Sequence, residues 1–359
     1  MPDPSLSGII KPEVRQAAAY ALTHFEAEVK LDQNENPFEI PRELKERIVR
    51  RILERDWGRY PEFVPHETIR RLARFTGWRE DGILVGNGSN ELIYVALIAT
   101  LGPGRTAVIP QPTFAVYKLM ASILGARVAE VLLNPRDFSF DAAAIADAAS
   151  QADVVVICSP NSPTGTLLAL PDAEEIIGRA RGLVVVDEAY HEFSGQTLLP
   201  LLDRFENLVL LRTFSKAKAM AGLRFGYMLA HAGVAAELRK AQLPYSVNIF
   251  TLSAAELAIE EASVLGNVVP LLVAERERVA SELGRRRGVE VFPSHANFLL
   301  IRTAHPARSV FDALYSGGVL VRDVSRYPLL DRALRVSVGT REENDRFLAA
   351  LDRALEAMA

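Results

Sequence analysis

Residues 183–190 read LVVVDEAY, an apolar run that ends in two acidic residues, an alanine and a tyrosine. A continuous β-branched run without polar alternation is typical of a strand that is buried on both faces. A carboxylate at the end of such a strand, here Asp187, is costly to desolvate unless a cation lies beside it. The segment therefore predicts a buried strand, with Asp187 facing a bound cation or, alternatively, an arginine or a helix end.

Similar apolar runs occur before and after this segment, and helix-like patterns lie between them. The runs are Ile83–Val85, Thr106–Ile109, Asp153–Ile157, Leu208–Leu211 and Gly226–Leu229, and the helical patterns include Glu91–Thr100 and Asp172–Arg181. Alternation of strands and helices indicates a mainly parallel α/β sheet. We therefore predict an α/β fold whose large domain has a mostly parallel central sheet flanked by helices.

The two ends of the chain differ from this central pattern. Near the N-terminus, Pro41 opens a helix that places Leu44, Ile48 and Ile52 on one face. The last third contains strand candidates and a final amphipathic helix, namely Val289–Phe292, Asn297–Ile301, Val319–Arg322, Leu334–Val338 and the helix that carries Phe347, Leu351 and Leu355. We expect an N-terminal arm packed on the small domain, a large domain and a smaller C-terminal α/β domain, with boundaries at 1–32, 33–260 and 261–359.

The composition is that of an ordinary globular protein, with 359 residues, a formal net charge of −4 and 49% hydrophobic residues. With that charge, nothing draws the chain as a whole to nucleic acid or to an anionic membrane. Met1–Ile10 lacks the features of a signal peptide, and no apolar run is long enough to cross a membrane. The single cysteine, Cys158, fits a reducing cytoplasm, and the six scattered histidines predict no metal site.

Four polar segments follow predicted strands, at the sheet edge where open α/β proteins bind ligands. They are Gly86–Glu91, Ser159–Gly165, Asp187–Tyr190 and Thr213–Lys216, the last followed by Arg224. The first could cradle a phosphate on a helix N-terminus, or Ser89 could simply cap the helix. The second could offer the Asn161 amide to a ligand or be an ordinary connection. Lys216 could be a desolvated amine that forms a Schiff base, or a solvated loop lysine.

In this order and spacing, the four segments resemble the fold-type I aminotransferases, which depend on pyridoxal 5′-phosphate (PLP). The resemblance covers nearly the whole chain and is closer still for the histidinol-phosphate aminotransferase family. It rests on Asn34–Pro37, Arg59–Pro61, Asp187–Phe193, Ser215–Ala217, Ala221–Arg224, Val321–Asp323 and Leu334–Thr340. The resemblance implies a fold-type I PLP transferase with PLP as its cofactor.

The resemblance also implies roles in the cofactor site. Lys216 would hold PLP covalently and then move a proton between the substrate Cα and the cofactor. Asp187 would pair with the protonated ring nitrogen, Asn161 and Tyr190 would donate hydrogen bonds to the phenolic oxygen, and Phe114 would stack on the ring. The phosphate would be held by Ser89, Asn90, Ser215 and Arg224.

On the substrate side, the resemblance implies that Arg335, assisted by Arg322, binds an anionic group and that Tyr20 contacts the substrate. Tyr60 matches a tyrosine that the family contributes from the neighbouring subunit, which implies a homodimer with shared active sites. The arm would then also pack on the partner subunit. The expected reaction converts L-histidinol phosphate and 2-oxoglutarate to imidazole acetol phosphate and L-glutamate, in histidine biosynthesis.

Three positions depart from the family pattern and bear on the substrate. Phe114 stands where tyrosine is common, Lys218 where an aromatic residue is common, and Ser162 where asparagine is frequent. An aminotransferase for phenylalanine or tyrosine therefore stays open, as does a PLP lyase similar to threonine-phosphate decarboxylase. An aminotransferase-like sensor in a transcription regulator is disfavoured, because the first α/β motif begins too early to leave room for a DNA-binding module.

Overall fold

The computed structural model describes residues 8–18 and 26–358 of the chain. Its strands, in chain order, are β1 (Val29–Lys30), β2 (Ile83–Asn87), β3 (Thr106–Gln111), β4 (Arg127–Leu132), β5 (Val154–Cys158), β6 (Leu183–Asp187), β7 (Leu208–Thr213), β8 (Phe225–Ala230), β9 (Val289–Phe292), β10 (Phe298–Thr303), β11 (Val319–Leu320), β12 (Arg322–Asp323) and β13 (Ala333–Ser337). Its helices are α1 (Pro12–Gln16), α2 (Arg42–Leu53), α3 (His66–Thr76), α4 (Gly88–Thr100), α5 (Ala115–Ile123), α6 (Ala142–Ala149), α7 (Leu170–Arg179), α8 (His191–Ser194), α9 (Ala232–Arg239), α10 (Ile249–Glu260), α11 (Ala262–Gly266), α12 (Val268–Gly284), α13 (Ala307–Ser316) and α14 (Arg341–Glu356).

The large domain is built on a seven-stranded sheet with the spatial order β2-β8-β7-β6-β5-β3-β4. Strands β7, β6, β5, β3 and β4 are parallel to one another, and β8 runs antiparallel to both of its neighbours. The predicted mostly parallel sheet is therefore confirmed. Parallel strands end at the same edge of a sheet, so the residues that follow β5, β6 and β7 are brought close together.

The apolar strands are continuous because helices cover both faces of the sheet. In β6, Val184 and Val186 belong to one core with α2, α3, α6, α7 and α10, while Val185 belongs to a second core with α4, α5 and α9. Alternate residues of a strand point to opposite faces, so both sets are buried. The predicted helix after Pro41 is confirmed as α2, with Leu44, Ile48 and Ile52 buried.

The small domain contains a four-stranded antiparallel sheet in the order β12-β13-β10-β9, packed against α12, α13 and α14. The run Val319–Arg322, predicted as one strand, is divided at Val321 into β11 and β12. Strand β11 pairs in parallel with β1, with Val29 opposite Val319 and Lys30 opposite Leu320. Helix α1, in contrast, packs on α5 of the large domain.

One strand of the large sheet was not predicted. Strand β4 lies at the sheet edge, and its residues are exposed or only partly buried. Its sequence lacks the continuous apolar run of the central strands because its side chains are covered only in part.

No described helix is by itself long and apolar enough to cross a membrane. The segments Ile249–Glu260 and Ala262–Gly284 reach the length and apolar composition of a membrane span only when they are taken together, and they are bent by 86° relative to each other. Among the described residues, no group of three or more His, Cys, Asp and Glu side chains could hold a metal ion.

Candidate active site

A cavity of about 440 Å³ lies between the carboxyl ends of β5, β6 and β7 and the small domain. Most of the residues predicted to form a site line it together, although they come from distant parts of the chain. They are Ser89, Asn90, Phe114, Asp187, Tyr190, Ser215, Lys216, Arg224, Arg322 and Arg335.

Asp187, the last residue of β6, is a buried carboxylate that only neutral groups hydrogen-bond. Its Oδ2 accepts a hydrogen bond from the Tyr117 hydroxyl at 2.7 Å, and its Oδ1 accepts one from the Ala189 N–H at 3.0 Å. Burial raises the pKa of Asp187 to about 6, against the opposing effect of these two hydrogen bonds. A cationic ring nitrogen in the cavity would supply the charge that offsets the burial of the carboxylate.

Lys216 follows β7 and donates from its Nζ to the backbone oxygen of Gln33 at 2.8 Å. Burial, together with the charges of Arg335 and Arg224, lowers the pKa of Lys216 to about 7, against the opposing charges of Glu35 and Asp187. A large fraction of this amine is therefore uncharged at neutral pH, which is the form that attacks a carbonyl carbon.

An anion-binding corner forms where α4 begins. Arg224 donates from Nη1 to the Ser215 hydroxyl at 3.2 Å, and that hydroxyl also accepts from Thr213 Oγ1 at 2.9 Å. Gly88, the first residue of α4, has a φ of +74°, and a Cβ there would lie 2.5 Å from Arg224 Nη2. The glycine thus lets a guanidinium approach the helix N-terminus, and the two together suit a phosphate group.

Of the two residues predicted to donate to the phenolic oxygen, Tyr190 lines the cavity and Asn161 does not. The Tyr190 hydroxyl accepts a hydrogen bond from Asn34 Nδ2 at 3.0 Å and lines the cavity, so its own proton can be donated to a ligand. Asn161 is buried away from the cavity, with its amide donating to Pro112 O at 2.9 Å and to Thr164 Oγ1 at 2.8 Å. Both amide hydrogens are thereby used, and a contact of Asn161 with the cofactor stays a prediction.

Ser162, the next residue, lines the cavity instead. Its hydroxyl accepts a hydrogen bond from Arg335 Nη1 at 3.0 Å, which joins the large domain to the small one. The departure from the family pattern at position 162 therefore falls on a residue of the site itself.

The small-domain side of the cavity carries a pair of arginines. Arg322 of β12 and Arg335 of β13 are directly opposite each other in the antiparallel register. Arg335 also donates from Nη2 to the backbone oxygen of Asp32 at 2.6 Å. Like charges placed opposite each other across two strands are unfavourable, so this pair is a natural position for an anionic substrate group.

Of the two remaining predicted residues, only Tyr60 is described, and it does not line the cavity of this chain. Tyr20 lies outside the described residues. Tyr60 is 82% exposed and stacks on Tyr245, with 4.8 Å between the ring centroids.

Sequence reasoning missed several residues that line the cavity. They are Asp32, Gln33, Glu35, Tyr117, Ser162 and Tyr327. The polar segment 32–35 directly precedes Asn36 and Pro37 and follows β1, which was a signal that could have placed it at the site. Tyr117 lies one helical turn after Phe114, but its hydrogen bond to a carboxylate 70 residues away has no local signal.

These features suit a ligand with a phosphate, a cationic ring nitrogen and a carbonyl carbon that an amine can attack, which is the chemistry of PLP. With the two-domain α/β architecture, they define a fold-type I PLP transferase. Residues 26–351 match the family model for aminotransferase class I and II. The chain therefore belongs to the class I and II aminotransferase family, whose members move amino groups between small-molecule amino and keto substrates.

Curated relatives and solved structures agree with this assignment. The chain is 42% identical over 331 residues to a histidinol-phosphate aminotransferase of Chlorobaculum tepidum, covering 91% of this chain and 94% of the relative. It is 41% identical over 350 residues to the histidinol-phosphate aminotransferase of Chlorobium luteolum, covering 96% of this chain and 98% of that relative. A crystal structure of the histidinol-phosphate aminotransferase from Clostridium acetobutylicum is similar with a TM-score of 0.85 at 25% identity, covering 92% of this chain and 99% of that one.

Proposed function

We propose that this PLP-dependent aminotransferase transfers the amino group of L-histidinol phosphate to 2-oxoglutarate, giving imidazole acetol phosphate and L-glutamate. The observation that carries the proposal is the pair Arg322 and Arg335 at the substrate side of the cavity. Two guanidinium groups suit a phosphate in one substrate and a carboxylate in the other. The relatives at 42% and 41% identity that bear this activity in their names support the same choice.

The residues that line the cavity have different roles in the proposed reaction. Bound in the cavity, PLP supplies an electron-accepting ring that stabilises negative charge at the substrate Cα. Asp187 would keep the ring nitrogen protonated, and Tyr190 would donate to the phenolic oxygen. Arg224, Ser215 and the N-terminus of α4 would hold the phosphate. Lys216 would hold the cofactor through its amine, and the same amine, once free, would move a proton at the substrate Cα.

The experiment that tests the proposal is a set of single half-reactions followed by absorbance. The purified enzyme with PLP is mixed separately with L-histidinol phosphate, L-glutamate, L-phenylalanine and L-threonine phosphate. We expect the cofactor band to be lost at least about tenfold faster with histidinol phosphate than with phenylalanine, because only the former offers a phosphate to the arginine pair. Fast loss with glutamate is expected as well.

Two results would contradict the proposal. Fast reaction with phenylalanine and little with histidinol phosphate would make the enzyme an aromatic amino acid aminotransferase. Release of carbon dioxide from threonine phosphate, without formation of an oxo acid, would make it a lyase.

We also propose that the chain acts as a homodimer with shared active sites. Tyr60 is exposed among other exposed aromatic residues, and an apolar patch of this kind marks a surface for another protein. The exposed aromatic residues form two groups of ring contacts, Trp57 with Phe250 at 5.5 Å, and Tyr245 with Tyr60 at 4.8 Å and with Phe63 at 5.7 Å. A second copy bound there could receive Tyr60 into its own cavity.

Mixing two inactive variants tests the shared site. Dimers of Lys216→Ala are mixed with dimers of Tyr60→Ala under conditions that allow subunit exchange. If Tyr60 serves the neighbouring subunit, each mixed dimer has one intact site, so about one quarter of the wild-type activity is expected after equal mixing. No recovery above the Tyr60→Ala level, although mixed dimers form, would show that Tyr60 does not serve the partner's site.

We further propose that the enzyme works in the cytoplasm. Cys158, the one cysteine of the chain, is a buried free thiol. Burial raises its pKa, and the charge of Asp187 raises it further, so it stays protonated and unreactive. A chain without disulfides suits a reducing compartment.

A further inference from the structure

The segment 32–35 forms one wall of the cavity, between the catalytic lysine and the anion-binding arginine. The backbone oxygen of Asp32 accepts from Arg335 Nη2 at 2.6 Å, and the backbone oxygen of Gln33 accepts from Lys216 Nζ at 2.8 Å. Glu35 belongs to the same segment and also lines the cavity. Its carboxylate acts electrostatically on Lys216, which places its charge close to the reacting groups.

This wall carries more negative than positive charge. Lys30 forms an ion pair with Glu35, and its Nζ lies 3.4 Å from Asp32 Oδ1. Burial lowers the pKa of Lys30, but the hydrogen bond from Lys30 to Glu35 and the charge of Asp32 outweigh it and hold the pKa above its ordinary value. Two carboxylates thus share one ammonium group, which leaves one surplus negative charge beside the cavity.

The cavity is therefore lined by groups of both charges, the guanidinium groups of Arg322 and Arg335 and the carboxylate of Glu35. An amino donor fits both kinds of group if it carries an anionic group and, elsewhere in the molecule, an N–H donor. Glu35 can accept such a hydrogen bond because it keeps two carboxylate oxygens and its side chain is 45% exposed.

We propose that Glu35 is a specificity residue that accepts a hydrogen bond from the side-chain N–H of the amino donor. This inference rests on the proposed function, because the imidazole of histidinol phosphate is the N–H group concerned. It also explains why the same carboxylate would not favour glutamate, whose side-chain carboxylate offers no N–H and carries a like charge.

The test compares wild-type enzyme with Glu35→Gln and with the matched control Glu39→Gln. Glu39 lies four residues further on and has its own ion pair with Lys45 at 3.0 Å, outside the cavity. For Glu35→Gln we expect the half-reaction with histidinol phosphate to lose about tenfold in kcat/KM, the effect of one charge-assisted hydrogen bond in a partly exposed site. The half-reaction with glutamate is expected to be unchanged or faster.

A binding measurement separates recognition from chemistry. Imidazolylpropyl phosphate, which lacks the amino group and cannot react, is titrated into each holoenzyme by calorimetry. We expect Glu35→Gln to bind it about tenfold more weakly than wild type and Glu39→Gln to bind it equally well.

The outcomes are distinguishable. If the wild type reacts fast with histidinol phosphate but Glu35→Gln has the same kcat/KM and the same affinity for imidazolylpropyl phosphate, the role of Glu35 is overturned. The proposed function is then intact. If Glu35→Gln loses kcat/KM equally in the half-reactions with histidinol phosphate and with glutamate, the role of Glu35 is also overturned, because such a loss indicates general damage to the site. A wild type that does not react with histidinol phosphate overturns the proposed function, and the role of Glu35 with it.

Discussion

Replacing Lys216 by alanine is expected to lower the rate of amino transfer by about three to four orders of magnitude. The amine of Lys216 is both the group that holds the cofactor and the base that moves the proton, and no other lysine lines the cavity among the described residues. Single-turnover mixing with histidinol phosphate measures the loss. The variant should still bind PLP, because Asp187, Arg224 and the N-terminus of α4 are unchanged, but dialysis should remove it.

Two comparisons make this prediction specific to the amine. Lys240→Ala, which removes an exposed lysine paired with Glu237, should behave as wild type. Small primary amines added to Lys216→Ala should restore part of the proton transfer, since they can enter a cavity from which a side chain has been removed. Full turnover by Lys216→Ala without added amine would rule out Lys216 as the catalytic base.

Replacing Asp187 by asparagine is expected to lower the rate by about two to three orders of magnitude while stabilising the cofactor-free protein. The amide keeps the size of the side chain and can still hydrogen-bond Tyr117 and Ala189. It removes the negative charge that would keep the cofactor ring nitrogen protonated, so negative charge at the substrate Cα loses its stabilisation. Single-turnover rates of the reconstituted variant measure this effect.

The expected gain in stability follows from the raised pKa of Asp187, about 6 in the folded protein. Above the ordinary carboxyl pKa the unfolded chain loses this proton more readily than the folded chain, so the free energy of unfolding falls as pH rises towards 6. Above pH 6 the full cost of the buried charge is present, and the asparagine variant avoids it. Thermal unfolding of the cofactor-free variant at pH 7 should therefore show a higher Tm than wild type, corresponding to a gain in the free energy of unfolding on the order of 3 kcal/mol.

Asp147→Asn, at an exposed ion pair with Arg179, serves as the control and should change neither rate nor Tm appreciably. An Asp187→Asn enzyme with wild-type rates would show that Asp187 does not support the cofactor. A lower Tm of the cofactor-free variant would show that burial does not penalise this carboxylate.

The central strands and the residues that follow them could be predicted because their signals are local. The run Leu183–Val186 and its neighbours are buried on both faces, so every position must be apolar. The chain directions of parallel strands then bring the residues after β5, β6 and β7 to one edge, whatever the details of packing. This is why residue types and their local spacing could predict Asp187 and Lys216 at one edge of the sheet, while their roles there came from the resemblance to the aminotransferase family.

Side-chain direction within turns could not be predicted in the same way. Asn161 was predicted to donate to the cofactor, which stays a prediction; in this structure its amide donates to Pro112 O, 49 residues earlier, and it is Ser162 that lines the cavity. Local sequence favours neither orientation, because both residues are small, polar and compatible with the turn. The choice depends on a partner brought near by folding.

By itself, the sequence determined the α/β class and the order of the strands along the chain, which follow from residue types at fixed local spacing. The lysine, aspartate and arginines of the site were identified by motifs that resemble the aminotransferase family. Only the tertiary structure decided that Arg322 lies opposite Arg335, that Ser162 bridges the two domains, and that Glu35 faces the cavity beside Lys30. The hydrogen bond from Arg335 to Ser162 joins residues 173 positions apart, and its geometry is set by the packing of the two domains, which no local pattern encodes.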